Sequence, residues 1–475
     1  MDILYVEFNT TALKENLINV TQAAIPNVKI SDFQSKETAI EFCRNNLIDV
    51  FIISLDGFSN EDGGNALIIE AMGYLQEIIN IAPHTPVYFI GSSELNIQIT
   101  NQLLSSSHHV DVWGDRASSP TIKVLSKDDL DYLLQELIQI STSLIQLEGI
   151  TINSGGTMLS LSPVQKRILR IFARKFKGKR CYVKSLDAGL SGSRVLQLEI
   201  KDMNDASRVH AIAKLDDIKN IDIEVNNYYQ DISRLPVRAY APQVGTVKGE
   251  TSNSAGVFYR LLKPSDVPLF KVATMDDDRA TQVVIKLREL LDSWYSNSPI
   301  EIISIGSIRE KFLSNQEVSG LSEKYNLDWI QEIERIEVNA RKSCIHGDLH
   351  GENIFVSDNN EPVIIDFGDV GEGHSVLDPI TLELSLFTHP SVREKLTWQP
   401  DLEISSWQNL ETYLHDCPYS NFIKECRNWS YSIAGDDLAV NAGAYGYLLR
   451  QLKYDDVDED LILKLLLSIK ESILS

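Results

Sequence analysis

From Ile3 to Leu144 the chain alternates short apolar runs with stretches of helical period. Residues 3–6 (Ile-Leu-Tyr-Val) read as a strand, 11–24 as a helix, 28–30 as a second strand and 36–46 as a second helix. Residues 50–53 (Val-Phe-Ile-Ile) are apolar throughout, as expected of a parallel strand buried on both faces. A helix over 66–81, a strand over 86–90, a helix over 95–105, a short strand over 110–113 and an amphipathic helix over 128–144 complete the pattern. Five strand–helix units in succession predict a doubly wound parallel sheet.

Beyond this region the pattern changes twice. Residues 147–180 read as a helical connector. There Ser162-Pro163 supplies an N-cap and a proline at the first helical position, and Val164, Ile168, Leu169, Ile171 and Phe172 form an apolar stripe over 163–175. Strands and turns dominate from 181 to 263, and helices from 264 to 475. A small β-rich lobe followed by a larger helical lobe is therefore expected, giving a multidomain chain: an α/β doubly wound domain over 1–146, the connector, an N-lobe over 181–263 and a C-lobe over 264–475.

Composition narrows the function classes. With 475 residues, two or three domains are expected. The formal net charge of −23 opposes binding to nucleic acid or to anionic membranes. The notable positive patch lies in and after the connector helix (Lys166, Arg167, Arg170, Arg174, Lys175, Lys177, Lys179, Arg180). In so acidic a chain it reads as a solvated helix face or a contact to acidic domains. The five cysteines form no CxxC pair, so neither a zinc site nor a disulfide framework is indicated. The Met1-Asp2-Ile3 start lacks a basic leader, and no apolar run approaches a membrane span, so a cytoplasmic protein is expected.

The order and lengths of the first 146 residues resemble the receiver domain of bacterial response regulators, a flavodoxin-like fold. That resemblance implies clustered acids after the first strand, an aspartate ending the third, a Thr or Ser after the fourth and a Lys after the fifth. Here Glu7 is a single acid, and aligning Asp49 with the acid that opens the third strand puts Ser54 at the acceptor position, with Asp56 two residues on. Gly91-Ser92 follows the fourth strand, and Gly114-Asp115-Arg116 stands where the lysine is expected. The pocket is degenerate. The domain reads as a pseudo-receiver for docking a protein partner or for self-association, with phosphorylation of Asp56 left open.

The densest chemistry lies in Cys344-Ile345-His346-Gly347-Asp348-Leu349-His350-Gly351-Glu352-Asn353-Ile354-Phe355-Val356, followed by Val363-Ile364-Ile365-Asp366-Phe367-Gly368-Asp369. Taken singly, an aspartate after glycine is a turn residue and an asparagine before a strand is a cap. In this order and spacing the two blocks resemble the catalytic and metal-binding segments of the aminoglycoside phosphotransferase/choline kinase family, relatives of the protein kinases. The resemblance implies ATP and Mg2+ as cofactors. It implies Asp348 as the base that accepts or orients the acceptor hydroxyl, and Asn353 and Asp366 as the metal ligands. Phosphoryl transfer needs alignment and charge neutralisation more than covalent help, which suits this set of oxygens. His346 and His350 read as hydrogen-bonding residues of the loop, and Asp369 as a supporting acid. Asp378 reads as the buried acid that braces the loop, or as a helix N-cap.

On the nucleotide side, the resemblance makes the turn with Gly189, Ser191, Gly192 and Ser193 a phosphate-covering loop. Its backbone N–H groups can approach oxygens without a Cβ in the way. Lys214, closing the apolar strand around Ala211-Ile212-Ala213, would reach the α- and β-phosphates. Glu224 is the expected partner for its amine, with Asp222 and Asp231 competing. Adenine would bond backbone near 261–263. Trp294, Trp407 and Trp429 read as core rather than as a substrate cage.

The sequence thus points to a bacterial, two-module, ATP- and Mg-dependent phosphotransferase acting on a hydroxyl of a small molecule. One alternative is a protein kinase that recruits its target through the receiver-like module. Another is a nucleotide-binding signalling or scaffold protein with little turnover. Acids suit an aminoglycoside and aromatics suit a choline-type substrate, and both residue types are abundant here.

Overall fold

The computed structural model describes residues 1–7, 12–55, 65–91, 97–155, 159–186, 193–248, 253–261, 265–396, 398–402 and 406–475. Two compact units emerge, one of Met1–Ile221 with Gln243–Arg260, the other of Asp222–Pro242 with Leu261–Ser475.

In the first unit, the strands Asp2–Val6, Lys29–Phe33, Val50–Ser54, Val87–Gly91 and Ile122–Ser126 form one parallel sheet in the order second, first, third, fourth, fifth. The third and fourth strands are buried along their whole length, which is why their sequences carry no polar alternation. Helices cover both faces. Lys36–Asn45 and Asn65–Ile81 bury Ala39, Ile40, Tyr74 and Leu75 on one side, while Ala12–Ala24 and Leu130–Glu148 bury Leu17, Leu133 and Leu137 on the other. The expected fifth strand is displaced. Among the described residues His109–Val110 pairs only with Ser119–Pro120, and the strand that follows into the parallel sheet is Ile122–Ser126, at its edge. The apolar run at 110–113 misled because Val112 and Trp113 are buried against the connector helix and not within a sheet. A lysine, Lys127, directly follows the true fifth strand, so Gly114-Asp115-Arg116 is not the segment to compare.

The connector helix forms as expected over Pro163–Lys175, its start fixed by Ser162, whose hydroxyl accepts from Gln165 N–H in a reciprocal capping box. Its apolar face is sequestered: Ile168, Leu169, Ile171 and Phe172 are at most 1% exposed, and the Phe172 ring stacks on Phe258 at 3.7 Å. Its basic face serves acidic neighbours. Arg167 pairs with the buried Asp49, and Arg174 Nη1 donates to Ser143 Oγ (2.8 Å) and to the Trp113 carbonyl (3.2 Å), with Asp115 3.6 Å from its other Nη. Beyond it lies a six-stranded sheet in the order Gln243–Lys248, Ser254–Arg260, Ser207–Asp217, Arg194–Lys201, Arg180–Ser185, Thr151–Asn153. All neighbours are antiparallel except the last pair. Residues expected to form a separate domain, a connector and a lobe therefore fall in one compact unit, with a core cluster running from Leu144 and Leu147 through the helix to Phe258.

The second unit is built on the helices Asp277–Tyr295, Leu377–Thr388, Ser420–Ile433, Asp437–Gln451 and Glu459–Leu474. Leu377–Thr388 is buried all round, which explains its lack of an amphipathic pattern. Glu383 on it forms a fully buried ion pair with Arg427, whose guanidinium lies 3.4 Å over the Trp407 ring. Trp294, Trp407 and Trp429 are at most 7% exposed, so all three belong to the core. Two three-stranded sheets sit beside the helices. One joins Val267–Pro268, Ile354–Val356 and Pro362–Ile364, and the other Ile300–Ser304, Glu337–Ile345 and Gly371–His374. Among the described residues, no helix is long and apolar enough to cross a membrane.

Candidate functional site

The strand Glu337–Ile345 delivers the chain into the loop His346-Gly347-Asp348. Gly347 sits at φ +82°, and a Cβ there would lie 2.5 Å from the Asp369 carbonyl oxygen. The turn therefore requires glycine twice over, for its dihedral and for its close approach to the second block. Asp378 braces the loop. Its Oδ2 accepts from His346 N–H (2.8 Å) and from the Tyr295 hydroxyl (2.8 Å), and its Oδ1 from Gly347 N–H (3.0 Å). Burial pushes the Asp378 pKa up, against the opposing pull of His346 and the donors. The N-cap of the helix is Val376, so Asp378 serves the loop and does not cap the helix. His346 Nε2 lies 3.0 Å from the Ile365 carbonyl, tying the loop to the strand end that precedes Asp366.

Past Asp348 the chain makes a 3-10 turn, Gly351–Asn353, then the hairpin of Ile354–Val356 with Pro362–Ile364. This hairpin returns the second block to the first: Ile365 N–H donates to the Asn353 carbonyl (3.0 Å), setting Asp366 next along. Asp366 takes a left-handed φ of +65°, a conformation that costs a non-glycine residue about 1 kcal/mol or more. From the helix Ile218–Gln230, Asn227 Nδ2 donates to the carbonyls of Phe367 (2.9 Å) and Gly368 (3.0 Å), holding the turn that follows.

Asp348 and Asn353 are thereby brought together. Asn353 Nδ2 donates to the Asp348 carbonyl (3.0 Å) and lies 3.2 Å from His350 Nε2. With the amide NH2 turned to that carbonyl, Oδ1 is left as an oxygen donor for a cation. The Asp348 carboxylate, partly exposed, lies 3.3 Å from Arg450 Nη1 through Oδ1 and 3.5 Å from His350 Nε2 through Oδ2. Burial acts to raise its pKa. His350, Arg450 and His346 more than offset that and hold it well below the usual carboxylate range. The carboxylate is thus charged at neutral pH and can accept a hydrogen bond from a hydroxyl. Among the described residues no group of three or more His, Cys, Asp or Glu could hold a metal ion. The amide oxygen of Asn353 and the carboxylate of Asp366 suit magnesium, which commonly takes its remaining oxygens from phosphates and water.

The other anticipated residues are distributed as follows. Lys214 lies half-buried on the strand Ser207–Asp217 of the first unit, in register with Val195 on one side and Val257 on the other. Ser193 Oγ–H donates to Asp216 across the hairpin. Gly189, Ser191 and Gly192 lie outside the described residues, as do residues 262–263 and Asp56. Glu224 is 1% exposed on the helix Ile218–Gln230, in the second unit. Asp369 is exposed, and its carbonyl accepts from Lys311 (3.3 Å). Sequence reasoning missed Arg450, Tyr295, Asn227 and His389. The signal for Arg450 was an arginine near the end of Asp437–Gln451, a helix otherwise buried almost throughout. Nothing marked the other three.

Comparison with known proteins follows this geometry. Residues 311–393 match the model of the Phosphotransferase enzyme family, a stretch that contains Asp348, Asn353, Asp366 and Asp378. The stretch that carries the two motif blocks is thus similar to that family. Among solved structures, the streptomycin–ATP–APH(2")-IIa ternary complex is similar at 14% identity, over 65% of this chain and 95% of that one, with a TM-score of 0.35. The choline kinase LicA of Streptococcus pneumoniae is similar at 10% identity, over 61% and 94%, with a TM-score of 0.30. An ethanolamine kinase of Plasmodium vivax is similar at 12% identity, over 61% and 81%, with a TM-score of 0.28. Likenesses at this level carry no argument about the site. No curated protein matches the chain.

Proposed function

We propose that this protein is an ATP- and magnesium-dependent phosphotransferase that moves the γ-phosphate to a hydroxyl of a small molecule. The observation that carries the reading is the Asp348 loop. Its carboxylate is charged and partly exposed, its backbone is fixed by Asp378, and its carbonyl is fixed by Asn353. Asp348 is the base: it aligns the acceptor hydroxyl and takes its proton as the oxygen attacks phosphorus. Asn353 and Asp366 would hold magnesium, which when bound neutralises phosphate charge. Lys214 and Glu224, with the backbone of the turn around Gly189, Ser191, Gly192 and Ser193, are the nucleotide-side residues of this proposal. The family match over 311–393 supports the class of reaction. The parallel sheet with its strand order 2-1-3-4-5 supports reading the N-terminal region as receiver-like.

The test is ATP turnover by the purified protein with magnesium, wild type beside Asp348→Asn, with a mass measurement for self-phosphorylation. Loss of at least a hundredfold in the variant, with MgATP binding retained, is the expected outcome. Equal turnover in the two proteins would sink the base assignment, and phosphate found on the protein itself would favour a protein acceptor.

A further inference from the structure

Asp366 is restrained on both sides of its left-handed backbone. Before it, Ile365 N–H donates to the Asn353 carbonyl (3.0 Å), and the Ile365 carbonyl lies 3.0 Å from His346 Nε2. After it, the carbonyls of Phe367 and Gly368 both accept from one amide, Nδ2 of Asn227, at 2.9 and 3.0 Å. An asparagine amide has two hydrogens, and both of these are committed to the turn. The Phe367 ring is fully buried, its centroid 5.7 Å from that of Tyr228 and 6.2 Å from that of His346. Lys311 Nζ takes the next carbonyl, that of Asp369 (3.3 Å), and with it that of Glu372 (3.4 Å). Lys311 is the weaker restraint, because its contacts are long and its flexible side chain is exposed. The Asn227 amide stands two torsions from the backbone of the helix Ile218–Gln230 and gives up less rotamer freedom in holding its place.

We infer that Asn227 is a positioning residue for the metal-binding aspartate. By pinning the two carbonyls after Asp366 it keeps that residue left-handed, and so holds its carboxylate in the conformation that takes the cation. The inference rests on the reading of Asp366 as a magnesium ligand. A non-glycine residue at φ +65° is strained, and such strain persists only where the surroundings over-determine it. The anchors before Asp366 lie within the two motif blocks themselves. Asn227 lies 140 residues before Phe367 and supplies the restraint on the far side. Once that restraint is gone, Asp366 is free to relax to an ordinary φ, which turns the Asp366–Phe367 peptide unit and re-aims the carboxylate. The left-handed penalty corresponds to a factor of about five or more in population, and apparent affinity falls with the fraction of molecules in the competent conformation. A mere tertiary peg would behave differently: its loss lowers stability and leaves metal affinity alone.

The experiment measures metal binding to the full chain saturated with ADP. Mn2+ is the probe, because its free ion gives an electron paramagnetic resonance signal that is lost on binding. The melting temperature and the affinity for ADP in EDTA are measured on the same preparations. Asn227→Leu keeps the size of the side chain and removes both donors. Asn227→Ala also removes them and is well tolerated in a helix, so it serves should the leucine variant fail to fold. Each should bind Mn2+ at least about fivefold more weakly than wild type, with its affinity for ADP in EDTA unchanged. The inference is overturned if the folded variants bind Mn2+ as tightly as wild type, even with a lowered melting temperature. It is overturned as well if metal-free ADP affinity falls by the same factor as Mn2+ affinity. Asp366→Asn is run beside them. If it binds Mn2+ like wild type, or if wild type binds none, the assignment of Asp366 as a ligand fails and takes the inference with it. Loss of binding in Asp366→Asn with none in the Asn227 variants overturns the inference alone, so the two failures are told apart.

Discussion

Replacing Asp378 with asparagine tests the part of the site on which everything else leans. The carboxylate accepts three bonds, from His346 N–H, Gly347 N–H and the Tyr295 hydroxyl, in a place with no solvent exposure. An amide keeps one oxygen. It can serve His346 and Tyr295 where Oδ2 stood, but its NH2 then faces Gly347 N–H, donor against donor. One buried unsatisfied N–H costs about 1–3 kcal/mol, and the surviving bonds lose the strengthening a charged acceptor gives, so about 2–4 kcal/mol in all is expected. For a domain of some two hundred residues this lowers the melting temperature by roughly 5–15 °C. The loop must shift to relieve the clash, and a displacement of about 1 Å at Asp348 costs about a hundredfold in rate. The assay is a thermal melt together with MgATP turnover measured well below the variant's transition. A melting temperature within about 1 °C of wild type, or turnover within about twofold, would refute the reasoning.

Two further predictions follow from other buried charges. Glu383→Gln strips the partner from Arg427, both being fully buried, and should cost about 3–5 kcal/mol in urea unfolding. The double variant Glu383→Leu/Arg427→Met should recover most of that loss; a single-variant cost below about 1 kcal/mol would mean the pair does not form. His389 is held down to about 3, chiefly by burial and then by His350, against an ordinary value of 6.5. Its depressed folded pKa means that the unfolded chain binds the proton first. The stability contributed above pH 6.5 is therefore lost as the pH falls toward 3. Wild type should lose melting temperature between pH 6.5 and pH 4 faster than His389→Phe, and parallel curves would contradict this.

What could be seen in the sequence, and what could not, divides along physical lines. Apolar periodicity located the parallel strands because burial on both faces removes polar residues altogether, as in Val50–Ser54. The same signal failed at 110–113, since Val112 and Trp113 are buried by a helix packed on them and periodicity reports burial, not its cause. The loop residues were visible because their chemistry is compressed into one short stretch, from His346 to Asp366. Their supports were not. Tyr295 lies 83 residues before Asp378 and Asn227 lies 140 before Phe367, and such contacts exist only once the chain has folded. Arg450, 102 residues from Asp348, belongs with them.

The first unit bears on how the N-terminal region can act. Had it been a module hung on a flexible connector, its influence on the rest would depend on collisions set by linker length. The helix Pro163–Lys175 instead has no free apolar face. Ile168 approaches Gly256 so closely that a Cβ there would lie 2.9 Å from its Cγ2, and Phe172 stacks on Phe258. On its other side Arg167 reaches Asp49, 1% exposed, whose second oxygen accepts from Asp2 N–H (2.7 Å). Asp49 opens the third parallel strand, and Ser254–Arg260 is paired in register with the strand that carries Lys214. A charge buried with its partner is costly to strand, so loss of either Arg167 or Asp49 would leave an uncompensated charge between the parallel sheet and the helix. The acid that opens the third strand is thus committed to holding Arg167 in place. The helix and the strand that carries Lys214 share one close-packed core.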